Sequence, residues 1–151
     1  MIKEKEWEKY IEETTHEHYH VSGVPCAVST LTMLSHIFGV ELHEQVYQSA
    51  LGMVGAGKYG AQCGLLEGGM MFLAIYGQQN GLVKKDIFEL TYKMTETFEN
   101  SMGSIVCKGL RPYPFTPEDA PKHLCEPVTV KGVTLLVKFL QDVVEPAFPK
   151  K

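Results

Sequence analysis

The stretch that decides the fold is Gly52-Met-Val-Gly-Ala-Gly-Lys-Tyr-Gly-Ala-Gln-Cys63-Gly-Leu-Leu-Glu-Gly-Gly-Met-Met-Phe-Leu-Ala-Ile-Tyr76. Seven of the chain's 14 glycines lie within residues 52–69, which favours tight turns and close approach of the backbone to another group. Glu67 is the only charged residue over 64–76, so this segment is apolar on nearly every face. Such a helix belongs in the interior of a fold. The stretch predicts a central buried helix over about 62–76, with Cys63 at its start.

Length and composition indicate one globular domain. The chain has 151 residues, of which 44% are hydrophobic and 21% are charged, so it can bury a core without disulfide support. Its formal net charge of -4 provides no basic surface for nucleic acid, and we expect no nucleic-acid partner. We expect a single helical domain over residues 1–151, in which residues 1–20 form a peripheral N-terminal helix and segment.

The sequence also gives an expectation for the cellular location of the protein. The first residues mix charges and lack the apolar core of a secretory signal, and the apolar run near the centre is too short to span a bilayer. We therefore expect a cytoplasmic protein without a membrane partner. In that compartment, four cysteines are more often metal ligands or redox-active thiols than structural disulfides.

Apolar spacing and helix-boundary residues predict an all-α domain, a compact bundle of five to six helices around the central one. The predicted helices cover about 2–14, 25–38, 43–53, 62–76, 86–102 and 127–144, with a short helical turn within 104–110 and a proline-rich connector over 111–121. Asp86 is the predicted cap of the fifth helix, whose repeating residues are Phe88, Tyr92, Thr95 and Phe98. The valines and threonines of the last segment leave a strand there as an alternative.

The four cysteines share one feature: Cys26, Cys63, Cys107 and Cys125 each fall within a turn of a predicted helix N-terminus. Unpaired N–H groups and the positive end of the helix dipole lower the pKa of a thiol and stabilise an anionic metal–sulfur centre there. The cysteines are 37, 44 and 18 residues apart, so no local metal motif exists. A shared site would need tertiary packing, and four separately buried apolar thiols remain the alternative.

Four segments carry a resemblance to a known family. They are Gly23-Val-Pro-Cys26-Ala-Val, Cys63-Gly64-Leu-Leu-Glu-Gly68, Gly103-Ser104-Ile-Val-Cys107 and, before the last helix, Cys125. The chain resembles, over about residues 20–145, the redox-active family named for its C_GCAxxG_C_C pattern, which is also found as the C-terminal module of split-Soret cytochromes. The resemblance implies a helical domain whose cysteines act in redox chemistry or bind a metal centre.

An iron–sulfur cluster held by Cys26, Cys63, Cys107 and Cys125 is the most specific version of this reading, and it would serve electron transfer. The alternatives are a metal-free thiol–disulfide oxidoreductase in which two of the cysteines cycle, and a structural zinc or small-ligand binding module. Gly64 and Gly68 would let backbone N–H groups approach the sulfurs. We expect a redox partner protein of unknown identity. A homodimer is one oligomeric state that the sequence allows. The Cys-x-x-Cys-His haem pattern does not occur, so we expect no covalently bound haem.

Three further features have a functional and a plain interpretation. Glu67, one turn after Cys63, could accept a proton or complete a metal shell, or it could mark the one solvated edge of its helix. The glycine loop over 55–60 superficially resembles a dinucleotide-binding loop, but it follows a predicted helix where that motif requires a strand. The alternating histidines of 16–20 could bind a transition metal or be merely solvated, and His123 lies two residues before a cysteine.

Overall fold

Helices form nearly all the regular structure of residues 4–111 and 122–150, which are the residues that the computed structural model describes. Six helices of seven residues or more are α1 (Glu4–Glu17), α2 (Cys26–Phe38), α3 (Glu44–Ala50), α5 (Gly64–Gln79), α6 (Lys84–Met102) and α8 (Glu126–Phe139), and two of four residues are α4 (Gly55–Lys58) and α7 (Cys107–Leu110). Over these ranges the β pairing is limited to an isolated bridge between Gln62 and Val106. The predicted all-α class is confirmed.

Helix α5 packs against α2, α6 and α8, and its closest partner is α2. The two helices approach closely because α5 has glycine where they cross: a Cβ built on Gly68 would lie 2.8 Å from the carbonyl oxygen of Ala27. Leu66 and Leu73 on α5 and Leu31 on α2 are buried in the resulting core. No helix among the described residues combines the length and the apolar character that a bilayer crossing requires.

Glycines in the left-handed conformation end three helical segments. Gly39 follows α2 with φ 64°, and Gly103 follows α6 with φ 88°, as their positions in the sequence predict. Helix α1 runs on without a break into a π-helical turn over His18–Ser22, which stops at Gly23 with φ 69°. The histidine-rich segment is thus helical. Helix α1 extends three residues beyond the predicted end at residue 14, and the π-helical turn over His18–Ser22 follows it.

The predicted N-cap of α6 is wrong. Val83, not Asp86, is the N-cap, and the Asp86 carboxylate accepts a hydrogen bond from the Val83 backbone N–H at 3.1 Å. Phe88 and Tyr92 are 62% and 66% exposed, because α6 meets the core through a neighbouring row of side chains. That row is Ile87, Leu90, Met94 and Phe98. The two rows share the buried Phe98, whereas Phe88 and Tyr92 of the predicted row face solvent.

The last segment is helical, so the strand alternative is wrong. Helix α8 begins at Glu126 with Pro127 in its first turn, and a π-helical turn over Leu140–Val144 continues it. Val133, Leu136 and Val137 are buried in the core, and Leu136 packs beside Gly69 of α5. Residues 112–121 of the predicted connector lie outside the described residues.

Candidate metal centre

All four cysteines line one cavity. Cys26 is the first residue of α2, Cys63 is the N-cap of α5, Cys107 is the first residue of α7 and Cys125 is the N-cap of α8. The rest of the wall consists of Gly64, Leu65, Leu110, Arg111, Val128 and Thr129. Inside the cavity, the volume that the centre of a water molecule can occupy is about 40 Å³. The cysteines are free of disulfide bonds. The structure therefore assembles four sulfur donors around a single small space.

A short antiparallel pairing brings Cys63 and Cys107 side by side. The Cys63 backbone N–H donates to the carbonyl oxygen of Ile105 at 2.8 Å, and the Cys107 N–H donates to that of Ala61 at 2.6 Å. These bonds flank the isolated bridge between Gln62 and Val106. The segments before α5 and α7 are thus held together by main-chain bonds between residues 42 and 46 positions apart, which leave no periodic signal in the sequence.

The glycine-rich segment wraps over Cys107. Gly55, Gly57 and Gly60 all have positive φ, between 54° and 82°, which side chains rarely adopt. A Cβ built on Gly55 would lie 3.2 Å from the Cys107 Sγ. The glycines before Cys63 therefore shape a loop against one of the sulfurs. This agrees with the rejection of a nucleotide loop, since α3 and a 3₁₀ turn over Leu51–Met53, rather than a strand, lead into the segment.

Burial and the proximity of the cysteines both affect the thiol pKa values. Burial, and after it the neighbouring Cys63, Cys107 and Cys125, raise the pKa of the Cys26 thiol to about 12. Burial likewise raises the pKa of the Cys63 thiol to about 12. The pKa of Cys107 is raised by burial, against the opposing effect of the Arg111 guanidinium. Cys26, Cys63 and Cys107 are harder to ionise mainly because they are buried, and also because a neighbouring thiolate would repel the new negative charge.

Backbone N–H groups at two helix starts are directed at the sulfurs. The backbone amides of Ala27, beside Cys26, and of Leu65 and Leu66, beside Cys63, lower the pKa of these thiols, although the Cys63 side chain makes no cap hydrogen bond to α5. Burial outweighs them, so the low pKa expected for thiols at helix N-termini is wrong for Cys26 and Cys63 in the protein without a bound cation. The donors are nevertheless in place for a thiolate held by a metal.

Of the three candidates near Cys63, which are Gly64, Glu67 and Gly68, only Gly64 lines the cavity. A Cβ built there would overlap the Cys26 Sγ and lie 3.1 Å from the carbonyl oxygen of Met53, so glycine leaves the room that the sulfur occupies. Gly68 lies one turn further on and contacts α2. Glu67 is half-buried and does not line the cavity; burial raises the pKa of its carboxyl.

A buried hydroxyl pair adjoins the cysteines, and the sequence reasoning missed it. The Tyr19 hydroxyl and Thr129 Oγ1 lie 2.6 Å apart, and Thr129 is fully buried in the cavity wall. Burial, with Cys26, raises the Tyr19 pKa well above its usual range, so the phenol stays neutral. The spacing of Thr129 with Val133 and Leu136 on α8 could have indicated that the threonine faces inward.

Replacing Tyr19 with phenylalanine should destabilise the fold by about 1 kcal/mol, because Thr129 loses this partner in a buried place. Urea unfolding of the parent, Tyr19→Phe, Thr129→Val and the double variant would measure it. The double variant should be more stable than the sum of the two single losses predicts, since both singles remove the same bond. Purely additive losses would contradict a coupled pair.

The histidines of 16–20 divide between the interior and the surface. His18 is buried, with Nδ1 2.8 Å from Ser29 Oγ, and burial lowers its pKa. It is a hydrogen-bonded core histidine. His16 and His20 instead stack at the surface, with ring centroids 4.2 Å apart.

Comparison with known proteins gives one match. The model of the family described as "Putative redox-active protein (C_GCAxxG_C_C)" matches residues 24–139, a segment that includes all four cysteines. No curated protein and no solved structure matches the chain. Because the match covers more than half of the sequence, the chain belongs to the C_GCAxxG_C_C family.

Proposed function

We propose that the protein holds an iron–sulfur centre on the sulfurs of Cys26, Cys63, Cys107 and Cys125 and transfers electrons through it. The observation that carries the proposal is the single cavity that these four cysteines line. Cysteine thiolates are the soft ligands that iron–sulfur clusters and zinc prefer, and four of them complete the usual ligand set of a cluster. When bound, the cluster supplies the redox couple.

The chain's own groups suit that centre. The Ala27 and Leu65 amides, with that of Leu66, are positioned to donate hydrogen bonds to ligating sulfurs, which raises the reduction potential of a cluster. Leu110 and Val128 add apolar surface to the cavity wall, which disfavours water beside the sulfurs. The Arg111 guanidinium places a positive charge beside Cys107, where the ligated centre would be anionic. These groups would tune a redox centre, whereas a structural metal needs only the four ligands.

The two alternatives are weaker on specific grounds. A metal-free thiol–disulfide couple needs an accessible thiolate, but burial raises the pKa of both Cys26 and Cys63 to about 12. Structural zinc accepts the same four sulfurs. It has no redox chemistry, however, whereas the family is described as redox-active, and this favours iron.

Anaerobic purification of the full chain tests the proposal directly. We expect iron and acid-labile sulfide in equal amounts, with a visible absorption that dithionite bleaches. The measurements are metal and sulfide analysis per chain and the spectrum before and after reduction. Stoichiometric zinc without iron, or a colourless protein in which four thiols titrate freely, would overturn the iron–sulfur assignment.

A further inference from the structure

A second group of potential metal ligands lies at the surface, outside the cysteine cavity. It consists of His16, His20 and Glu126, whose ligand atoms all lie within 4.8 Å of one another. His16 Nδ1 is 3.0 Å from Glu126 Oε1, and His20 Nε2 is 2.7 Å from Glu126 Oε2. Ligands of a tetrahedral zinc ion are about 3.3 Å apart, given metal–ligand distances of about 2.0–2.1 Å. The three side chains need only small movements to share one ion.

The fold presents these ligands from two separate elements. His16 is in the last turn of α1 and His20 in the π-helical turn that continues it, so the two rings lie on one side, stacked with an interplanar angle of 25°. Glu126 is the first residue of α8, more than 100 residues away in sequence. The His20 ring also has His123 nearby, with centroids 5.6 Å apart. The helical segment thus sorts the alternating histidines, turning His18 inward and the other two towards one carboxylate.

The donor set selects a class of ion. Two imidazole nitrogens and one carboxylate suit borderline divalent transition metals such as Zn²⁺, Co²⁺ and Ni²⁺, while Ca²⁺ and Mg²⁺ prefer sites made only of oxygen ligands. The side chains of His16, His20 and Glu126 are 63%, 37% and 26% exposed, so an ion can enter from solvent and keep water in its remaining positions. In the protein without an ion, each facing nitrogen needs a hydrogen atom to bond Glu126. One cation bound between the three side chains would replace both of these hydrogen atoms.

We infer that His16, His20 and Glu126 form a surface site for a divalent transition-metal ion of the zinc class. An ion there links the end of α1 to the first turn of α8, the helix that Cys125 caps. The site is independent of the cysteine cavity in its ligands and in its exposure. It fastens the N-terminal helix to the element that carries one of the cavity's sulfurs.

Titration of the full chain with Co²⁺ tests this site. We compare the parent with the double variant His16→Gln/His20→Gln and with the control His43→Gln, which changes an exposed histidine elsewhere. The parent and the control should bind one Co²⁺ more than the double variant, as counted by native mass spectrometry. That additional ion should lack the sulfur-to-cobalt charge-transfer absorption, because no thiolate binds it. Glu126 is left unchanged, since it adjoins Cys125.

Thermal unfolding provides a second readout. Zn²⁺ should raise the Tm of the parent and the control by more than that of the double variant, since an ion that binds only the folded state stabilises it. Equal ion counts and equal Tm increases in all three proteins would overturn the site. Sulfur-to-cobalt absorption in the double variant reports on the cysteine cavity alone. Failure of the proposed cysteine centre would remove that signal from all three proteins and leave the difference in ion count.

Discussion

Replacing Cys63 with serine should abolish assembly of the proposed metal centre while leaving the fold intact. Cys63 is 6% exposed, caps α5 and is held against Cys107 by the bridge between their segments. Serine removes the soft sulfur ligand. Substitution of a residue that only hydrogen-bonds to a metal ligand costs about 10–100-fold in metal affinity, so loss of the ligand itself should cost at least as much. Metal analysis and the visible spectrum after anaerobic reconstitution would measure it.

The same substitution should not lower the stability of the metal-free protein. Serine is among the best N-cap residues, and its hydroxyl can accept the amide hydrogens of Leu65 and Leu66 that now point at the sulfur. The metal-free Tm should stay within about 4 °C of the parent's. This combination separates loss of a ligand from loss of the fold.

His43→Ser is the matched control for Cys63→Ser. His43 is also a helix N-cap without a side-chain cap, but it is exposed and lies at the start of α3, outside the cavity wall. This variant should reconstitute like the parent. A Cys63→Ser protein that retained the parent's metal content and its reducible absorption would show that Cys63 is not a ligand.

Much of the fold could be predicted because its signals are local. Pro25 and Gly39 bracket α2, whose observed bounds Cys26–Phe38 fall between them, and Gly103 marks the end of α6. The start of each helix near a cysteine was predictable in the same way. Where two helical rows competed, as on α6, apolar spacing could not decide, because the choice depends on which row the neighbouring helices cover.

The candidate site depends on contacts that spacing does not encode. The bridge between Gln62 and Val106 and the packing of α8 beside α2 set where the sulfurs lie, and both join distant parts of the chain. The thiol pKa values also escaped prediction. A helix N-terminus favours a thiolate, but the burial that opposes it follows from the whole fold. The histidines show the same limit, since their conformation was needed before their partner Glu126 could be found.

The glycine after Cys63 gives the second large effect: Gly64→Ala should weaken metal binding at the proposed centre without removing a candidate ligand. The added Cβ would overlap the Cys26 Sγ, and the carbonyl oxygen of Met53 and the amide of Ala27 block it at 3.1 and 3.3 Å. The methyl group cannot be accommodated unless the Cys26 sulfur moves out of the cavity. We expect a loss of metal that approaches the loss in Cys63→Ser, measured by the same reconstitution.

Two other glycine variants separate this effect from general destabilisation. In Gly68→Ala the Cβ would lie 2.8 Å from the Ala27 carbonyl oxygen, which forces α2 and α5 apart without touching a sulfur. Such overpacking costs about 1–3 kcal/mol, partly offset by about 1 kcal/mol of helix propensity, so its Tm should fall by several degrees. Gly52→Ala, where a Cβ meets nothing within 4 Å, should match the parent in both measurements.

The comparison decides what Gly64 does. If its role is to leave room for a ligating sulfur, Gly64→Ala loses more metal than Gly68→Ala at equal or smaller loss of Tm. Equal metal content in the two variants would mean that the glycines serve only the packing of α2 against α5. The close approach of these helices and the position of the Cys26 sulfur have a common origin, because Gly64 and Gly68 lie one turn apart on the same face of α5.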